Sequence, residues 1–220
     1  MKALIVHAHP EDKSFCTALK NTAGDFFSSN GNEVKVSDLY KMGFNPVGSK
    51  DDFKEAGNPD FFKYQLEQSN ALTKDLFTDD IKAEMEKFVW ADVVIFNFPL
   101  WWFSVPAIMK GWVDRVFAMG FCYGAGKGVY ENGTFRDKTS FLCLTTGGPE
   151  QSYQESGFNG DINKILFHVN HGMLHFVGMK VLPQFVCYGA ARITEEERKS
   201  KLEEYKAYLA NINTTKPIFE

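Results

Sequence analysis

Apolar and polar positions follow two patterns along the chain: continuous apolar runs, and segments in which apolar residues recur with the helical period. Continuous apolar runs are typical of strands that are buried on both faces of a parallel sheet. The predicted strands are residues 3–9, 33–40, 92–98, 139–145 and 180–188. The predicted helices are residues 14–28, 81–91, 106–117, 161–176 and 194–212.

Strands that alternate with helices predict an α/β fold with a doubly wound parallel sheet. Five strands suit the order 2-1-3-4-5, and 220 residues suit one domain spanning 1–220 with a full core. Ligands of such sheets bind beyond the carboxyl ends of the strands. The loops after the first, third and fourth strands are therefore where a functional site is expected.

Polar residues at the helix ends supply further signals. Ser14 is a predicted N-cap, and Thr194 with Glu197 forms a capping box. Asp79 or Asp80 is expected to cap the helix at 81–91. The preceding connection, residues 41–79, has no strong periodicity but is rich in aromatic residues, so we expect it to wrap the surface towards a partner subunit or a cofactor.

Composition narrows the class of protein. The net charge of -4 gives no basic footprint for nucleic acid or an anionic membrane, and the 21 Phe residues point to an apolar pocket or a subunit interface. No apolar run is long enough for a membrane span. The four cysteines form no CxxC pair, which predicts buried free thiols in a reducing compartment, and we expect a cytoplasmic protein.

The loop after the first strand, residues 9–16, enters a helix and is a candidate anion site. Free N–H groups and the positive end of the helix dipole attract phosphate there, and Lys13 and Ser14 add donors. An ordinary capped helix start with His9 as a loop histidine explains the pattern equally well. Because no GxGxxG or Walker A motif is present, a dinucleotide or ATP loop of those kinds is not expected.

The loops after the third and fourth strands add an aromatic wall and a glycine pair. Trp101, Trp102 and Phe103 suit the face of a planar ligand, although core packing or an interface patch is the alternative. Gly147 and Gly148 allow close backbone approach to a heterocycle, although they also suit a simple turn. Together the three loops supply the parts that a flavin needs.

Several long motifs resemble the NAD(P)H:quinone reductase family, the DT-diaphorase-like flavoproteins with a flavodoxin-like fold. The similarity covers essentially the whole chain and is greatest to the quinone reductase 2 (ribosyldihydronicotinamide dehydrogenase) branch. The matching strings are LIVHAHPEDKSF (4–15), VSDLYKMGFNP (36–46), FPLWWFSVPAIMKGWVDRVF (98–117), TTGGPEQSY (145–153), GDINKILF (160–167), HGMLHFVGMKVL (171–182) and ITEEERKSKL (193–202).

The resemblance implies an FAD-dependent enzyme that reduces quinones by two electrons in a ping-pong cycle, with hydride passing from a reduced nicotinamide through flavin N5. It also implies a homodimer with active sites at the subunit interface. A flavodoxin-type one-electron carrier and a flavin-binding redox regulator of a partner protein are the alternatives. The mild net charge favours the enzyme over a carrier with an acidic docking face.

The resemblance also assigns site residues by position. Catalytic roles fall on Tyr153 and Asn159. The substrate pocket is expected to contain Phe103, Tyr123, Gly147, Asn159 and Phe176. The expected FAD contacts are His9, Ser14, Phe15, Cys16, Pro99, Leu100, Trp101, Trp102, Phe103, Thr145, Thr146, Gly147, Gly148, Tyr153 and Arg198.

Some positions depart from the family pattern. Cys16 stands where Asn is usual, Trp101 where Gln or Tyr is found, Lys63 where Gln or Asn appears, and Ala125 where one branch has a second pocket Tyr. Asn159 replaces a histidine of the DT-diaphorase branch, and an amide does not carry a proton at neutral pH. We therefore expect charge at this position to be stabilised by hydrogen bonds and dipoles.

A pair of histidines at helical spacing, His171 and His175, is half of a zinc site. The quinone reductase 2 branch completes such a site with a C-terminal Cys, which this sequence lacks, and Glu220 is the remaining candidate ligand. Two ordinary helix histidines near an interface explain the pair equally well.

Overall fold

The computed structural model describes residues 1–124 and 126–219, and it has the predicted α/β architecture. The strands are β1 Lys2–His7, β2 Glu33–Asp38, β3 Val93–Pro99, β4 Thr139–Thr145, β5 Lys180–Val181 and β6 Phe185–Cys187. The helices are α1 Phe15–Ser29, α2 Tyr64–Lys74, α3 Asp79–Trp90, α4 Ala107–Val116, α5 Ile162–Val169 and α6 Glu195–Ala210. A π-helical stretch, Asn170–His175, continues α5.

The sheet is parallel and runs β2-β1-β3-β4-β5, with β6 also paired to β4, so the flavodoxin-like order 2-1-3-4-5 is confirmed. The predicted fifth strand at 180–188 is two short strands instead of one. Pro183 lies between them, and a proline has no N–H to donate to a sheet ladder. The two short strands β5 and β6 therefore share β4 as their neighbour.

The core lies on both faces of the sheet, as the continuous apolar runs predict. Side chains of α1 and α6 pack with Ile5, Ile95 and Phe141 on one face. Side chains of α3, α4 and the segment after α5 pack with Leu4 and Phe96 on the other. All seven residues of β3 are buried, and Trp101, two residues beyond its carboxyl end, is 42% exposed.

Two of the three cap predictions are confirmed. The Ser14 side chain accepts from the N–H of Thr17, and Thr194 with Glu197 forms the capping box. The prediction of Asp79 or Asp80 as a cap is wrong, because α3 already begins at Asp79, after Thr78. Both carboxylates instead lie in the first turn, where their negative charges interact favourably with the positive end of the helix dipole.

The connection at residues 41–79, which shows no strong periodicity in the sequence, contains α2. Phe53 and Phe77 pack into the core and face each other at 5.6 Å between ring centroids, while Phe61 stays 69% exposed. Five of the six aromatic side chains of this segment lie in the core or pack against it, and the expectation that the segment reaches a partner subunit or a cofactor stays a prediction.

Candidate functional site

Three loops meet beyond the carboxyl ends of β1, β3 and β4, which are neighbours in the sheet. Asn97 is the register partner of both His7 on β1 and Cys143 on β4. The loops enclose a cleft of about 460 Å³, within the size range of cofactor and substrate sites. Its lining residues are His9, Lys13, Ser14, Phe15, Cys16, Pro99, Leu100, Trp101, Thr145, Thr146, Gly147, Ala190, Ala191 and Arg198.

The structure thus brings most of the predicted cofactor residues to one surface. Trp102, Phe103, Gly148 and Tyr153 are the predicted contacts that do not line this cleft. The alanines Ala190 and Ala191, which follow β6, were missed because small apolar residues in a loop carry no sequence signal for binding.

The start of α1 forms the polar end of the cleft. The first four N–H groups of a helix have no partner within it, and here the Ser14 hydroxyl takes that of Thr17 at 3.0 Å. Phe15 and Cys16 belong to the same first turn, and both residues line the cleft. With Lys13 beside them, their amides and the helix dipole make a site for an anion.

His9 lies at the mouth of this anion site as a neutral donor. Burial lowers its pKa, and its Nδ1 accepts the N–H of Glu11 at 3.0 Å. The ring proton is therefore on Nε2, which is available to a ligand. The His9 ring is 6.4 Å from that of Trp101, between ring centroids, so the donor stands next to the aromatic wall.

A buried polar network lies beneath the floor of the cleft. Asn97 Oδ1 is 2.6 Å from His7 Nδ1 and 3.6 Å from the Cys16 thiol, and Asn97 Nδ2 donates to the carbonyl of Cys143 at 3.2 Å. Burial lowers the pKa of His7 to about 4 and raises that of Cys16 well above its usual range. The sequence indicates this network only in that His7 and Asn97 are polar residues within otherwise apolar strands.

Arg198 closes the cleft on the side of α6. Its Nη2 donates to the carbonyl of Ala190 at 2.9 Å, and its guanidinium lies 5.6 Å from the centre of the Phe15 ring. The cation is therefore held by the loop after β6 and by the start of α1 at once. It adds a second positive charge to the end of the cleft that carries Lys13.

The two glycines of the loop after β4 have different surroundings. A Cβ at Gly147 would meet no atom within 4 Å, so this residue faces open space beside the cleft. A Cβ at Gly148 would lie 3.2 Å from the Tyr153 ring and 3.5 Å from the Asn159 amide nitrogen. The two predicted catalytic residues, Tyr153 and Asn159, are thus brought together next to the glycines.

Trp101 to Ser104 form a tight turn that projects from the rim. Trp101 and Ser104 exchange backbone hydrogen bonds of 3.2 and 3.0 Å. Trp102 and Phe103 between them have φ values of 50° and 60°, the left-handed region that aromatic residues seldom adopt. Trp102 is 95% exposed and Phe103 is 45% exposed, so neither belongs to the core, and of the three aromatics it is Trp101 that lines the cleft.

The predicted substrate residues fall into two groups within one chain. Gly147 and Asn159 lie beside the first cleft, with Phe103 on the projecting turn. Tyr123 and Phe176 have ring centroids 6.0 Å apart and line a separate cavity of about 360 Å³. Ala125, the position of a second pocket residue in one branch, lies outside the described residues.

The histidine pair proposed as half of a zinc site is packed among aromatic rings. His171 and His175 have ring centroids 5.6 Å apart, and Phe219 stacks on His175 at 4.8 Å. Within residues 1–124 and 126–219, no group of three His, Cys, Asp or Glu residues could hold a metal ion. Glu220, the remaining candidate ligand, lies outside the described residues.

Comparison with known proteins identifies the family. A sequence model described as "Flavodoxin-like fold" matches residues 1–210. Ribosyldihydronicotinamide dehydrogenase (quinone) from Rattus norvegicus is 44% identical over 218 residues, which make up 99% of this chain and 94% of the rat protein. NAD(P)H dehydrogenase (quinone) 1 from Cavia porcellus is 41% identical over 219 residues, covering 99% of this chain and 79% of that protein.

A solved structure agrees with these sequence relatives. The crystal structure of a putative quinone reductase from Klebsiella pneumoniae superimposes with a TM-score of 0.96 at 41% identity, covering 99% of this chain and 87% of that one. The chain therefore belongs to the flavodoxin-like family and, within it, to the quinone reductases, which are oxidoreductases. Among the helices of the described residues, none has the length and apolar character needed to cross a bilayer.

Proposed function

We propose that the protein is an FAD-dependent quinone reductase that uses a reduced nicotinamide as electron donor and delivers two electrons in a ping-pong cycle. The observation that carries the proposal is the single cleft in which the first turn of α1, two cations and the Trp101 ring converge. The rat and guinea pig relatives, whose names state quinone dehydrogenase activity, support it.

The donor set in the cleft fits a flavin nucleotide. The amides of Phe15 and Cys16, together with Lys13 and Arg198, suit a diphosphate, and the wall at Trp101 suits a planar ring. The open space at Gly147 leaves room for the ring edge. When bound, FAD supplies the redox chemistry by taking up and releasing electron pairs as hydride.

The chain's own residues would bind the flavin, orient it and stabilise charge on it. A ligand could approach the backbone of Gly147 closely, because this residue has no side chain and the space beside it is open. Tyr153, buried beside Gly148, and the amide of Asn159 then act as hydrogen-bond partners at that edge. Since an amide is not a proton carrier at neutral pH, Asn159 stabilises charge by hydrogen bonding.

We further propose that two copies form each complete site. Tyr123 and Phe176 lie on a cavity of their own, apart from the cleft with the anion site. In a homodimer they would cover the mouth of the partner's cleft and form its substrate pocket with Phe103. The four free, buried thiols fit a reducing compartment, and so a cytoplasmic enzyme.

Stopped-flow spectroscopy of the purified protein tests the proposal. Bleaching of bound flavin is expected with at least one of NADH, NADPH and dihydronicotinamide riboside, followed by rapid reoxidation with a soluble quinone. Steady turnover of the quinone would separate an enzyme from a one-electron carrier. A colourless protein that binds neither added FAD nor FMN would overturn the proposal.

A further inference from the structure

The projecting aromatic turn is tied to α5 by one side-chain contact. Ser104 Oγ lies 2.9 Å from His168 Nε2, and these residues are 64 positions apart in the chain. Ser104 closes the turn through its backbone hydrogen bonds with Trp101. His168 therefore connects the turn that carries Trp102 and Phe103 with the helix that leads to Phe176.

The hydrogen bonds of His168 define its tautomer. Nδ1 lies 2.9 Å from the carbonyl of Ile165, which accepts only, so Nδ1 carries the proton. In this tautomer Nε2 accepts a hydrogen bond from the Ser104 hydroxyl. Both ring nitrogens are used, so the imidazole links the carbonyl of Ile165 to the turn.

The turn needs such a link because its backbone is in an unfavourable conformation. Trp102 and Phe103 both have positive φ values, and side chains beyond Cα make that region costly for residues other than glycine. Neither side chain is buried, so core packing does little to hold them there. Strained residues persist only where surrounding contacts determine them.

We propose that His168 is a positioning residue of the active site, which holds Trp102 and Phe103 in their projecting conformation through Ser104. His168 also lines the cavity of Tyr123 and Phe176, so one imidazole is placed between the two groups of predicted substrate residues. The inference rests on the proposed function for its effect on quinones, but the link itself is independent of that function.

Nuclear magnetic resonance of the protein as purified tests the link. The neutral His168 ring is expected to show the Nδ1–H tautomer in a long-range ¹H–¹⁵N correlation at alkaline pH. Ser104→Ala is expected to shift the Nε2 resonance of His168. His168→Ala is expected to shift the backbone amide resonances of Trp102 and Phe103. An Nε2–H tautomer, or unchanged turn amides in His168→Ala, would overturn the proposal even if the protein reduces quinones.

Steady-state kinetics test the consequence for the active site. Ser104→Ala and His168→Ala are each expected to raise the quinone KM about threefold to tenfold, the range for loss of one hydrogen bond, with kcat little changed. The double variant should resemble either single variant because both changes break one link. His168→Gln, whose side-chain oxygen can accept from Ser104, should restore most of the affinity.

Lys164→Ala is the matched control, because Lys164 is an exposed residue of the same helix, and its kinetics should equal those of the wild type. Additive effects of the two single variants would contradict a shared link. A wild-type protein without quinone turnover would overturn the proposed function alone, since the resonance shifts would still decide whether His168 holds the turn.

Discussion

Arg115 Nε donates to Asp52 Oδ1 at 2.9 Å, and both side chains are almost completely buried. Arg115 stands near the end of α4, whereas Asp52 belongs to the connection after β2. The same guanidinium donates to the carbonyl of Asn45 and pairs with Asp80 on α3. One cation thus fastens the long connection to two helices.

Breaking this buried ion pair is expected to be costly. Asp52→Asn should lower the free energy of unfolding by about 3 kcal/mol, because it leaves a buried guanidinium without its main counter-charge. Urea denaturation followed by circular dichroism measures the change. Lys199→Ala, at an exposed pair with Glu195, is the control and should stay within about 0.5 kcal/mol. Equal losses in the two variants would contradict the role of Arg115.

Replacing each of two helical glycines by alanine should change the stability of the protein in opposite directions. A Cβ at Gly111 in α4 would lie 2.1 Å from the carbonyl oxygen of Pro46, so Gly111→Ala should destabilise the protein by at least about 2 kcal/mol. A Cβ at Gly24 in α1 meets nothing within 4 Å, so Gly24→Ala should stabilise it by about 0.5–1 kcal/mol. Thermal unfolding of both variants measures the difference, and a stabilised Gly111→Ala would refute the close contact.

The buried His7 predicts acid sensitivity. Burial lowers its pKa from 6.5 to about 4, with Asp38 opposing and Lys20 and His9 reinforcing the shift. Between those values the unfolded chain binds the proton and the folded chain does not, so stability falls as the pH decreases from about 6.5 to about 4. The loss attributable to His7 is about 3 kcal/mol, at about 1.4 kcal/mol per pKa unit.

Comparing His7→Gln with the wild type isolates this effect, since the carboxylates titrate in both proteins. The difference in unfolding free energy between the two proteins should change across this range and level off below it. A constant difference from pH 7 to pH 4 would show that His7 is not held neutral.

Arg198 should discriminate between flavins by their phosphate groups. Arg198→Ala removes a cation that lines the cleft near the start of α1, so the Kd for FAD should rise about tenfold while the Kd for riboflavin stays the same. Flavin fluorescence titration of the apoprotein measures both constants. Arg192→Ala, an exposed arginine six positions earlier, should change neither. Equal weakening of riboflavin binding would place Arg198 elsewhere.

Asn159 should leave kcat independent of pH near neutrality. Asn159→Ala is expected to lower kcat about tenfold without altering its pH profile, because it removes a hydrogen-bond partner that does not ionise. Asn159→His should introduce a new ionisation between pH 5 and 8. The pH dependence of kcat in the three proteins is the measurement. A titration in the wild type that Asn159→Ala abolishes would contradict this role.

The sequence pattern predicted the sheet well because its strands are buried on both faces and leave uninterrupted apolar runs. Helix α2 gave no such signal, because polar side chains anchor it. Gln68 donates to the carbonyl of Asp114 and accepts the N–H of Met119, and Glu67 accepts the N–H groups of Gly57 and Asn58. Hydrogen bonds to distant backbone groups have no periodicity, so local patterns cannot reveal them.

Part of the candidate site could likewise be predicted from the sequence, and part of it could not. Residues in the loops that follow strands, such as Ser14 and Trp101, could be predicted because parallel topology brings these loops to one edge of the sheet. The link between Ser104 and His168 could not, because it depends on how α5 lies against the turn after β3. The positive φ values of Trp102 and Phe103 could not be predicted either, because neither residue is a glycine.

The burial of all four cysteines has a consequence for an enzyme that handles quinones. Burial raises the pKa of each thiol, to about 12 for Cys143 and about 11 for Cys187, so none of them is a thiolate at neutral pH. Quinones are electrophiles that alkylate thiolates, and only the thiolate is an effective nucleophile. This holds even for Cys16, which lines the cleft. A quinone in the cleft therefore meets a neutral thiol at this position and not a reactive thiolate.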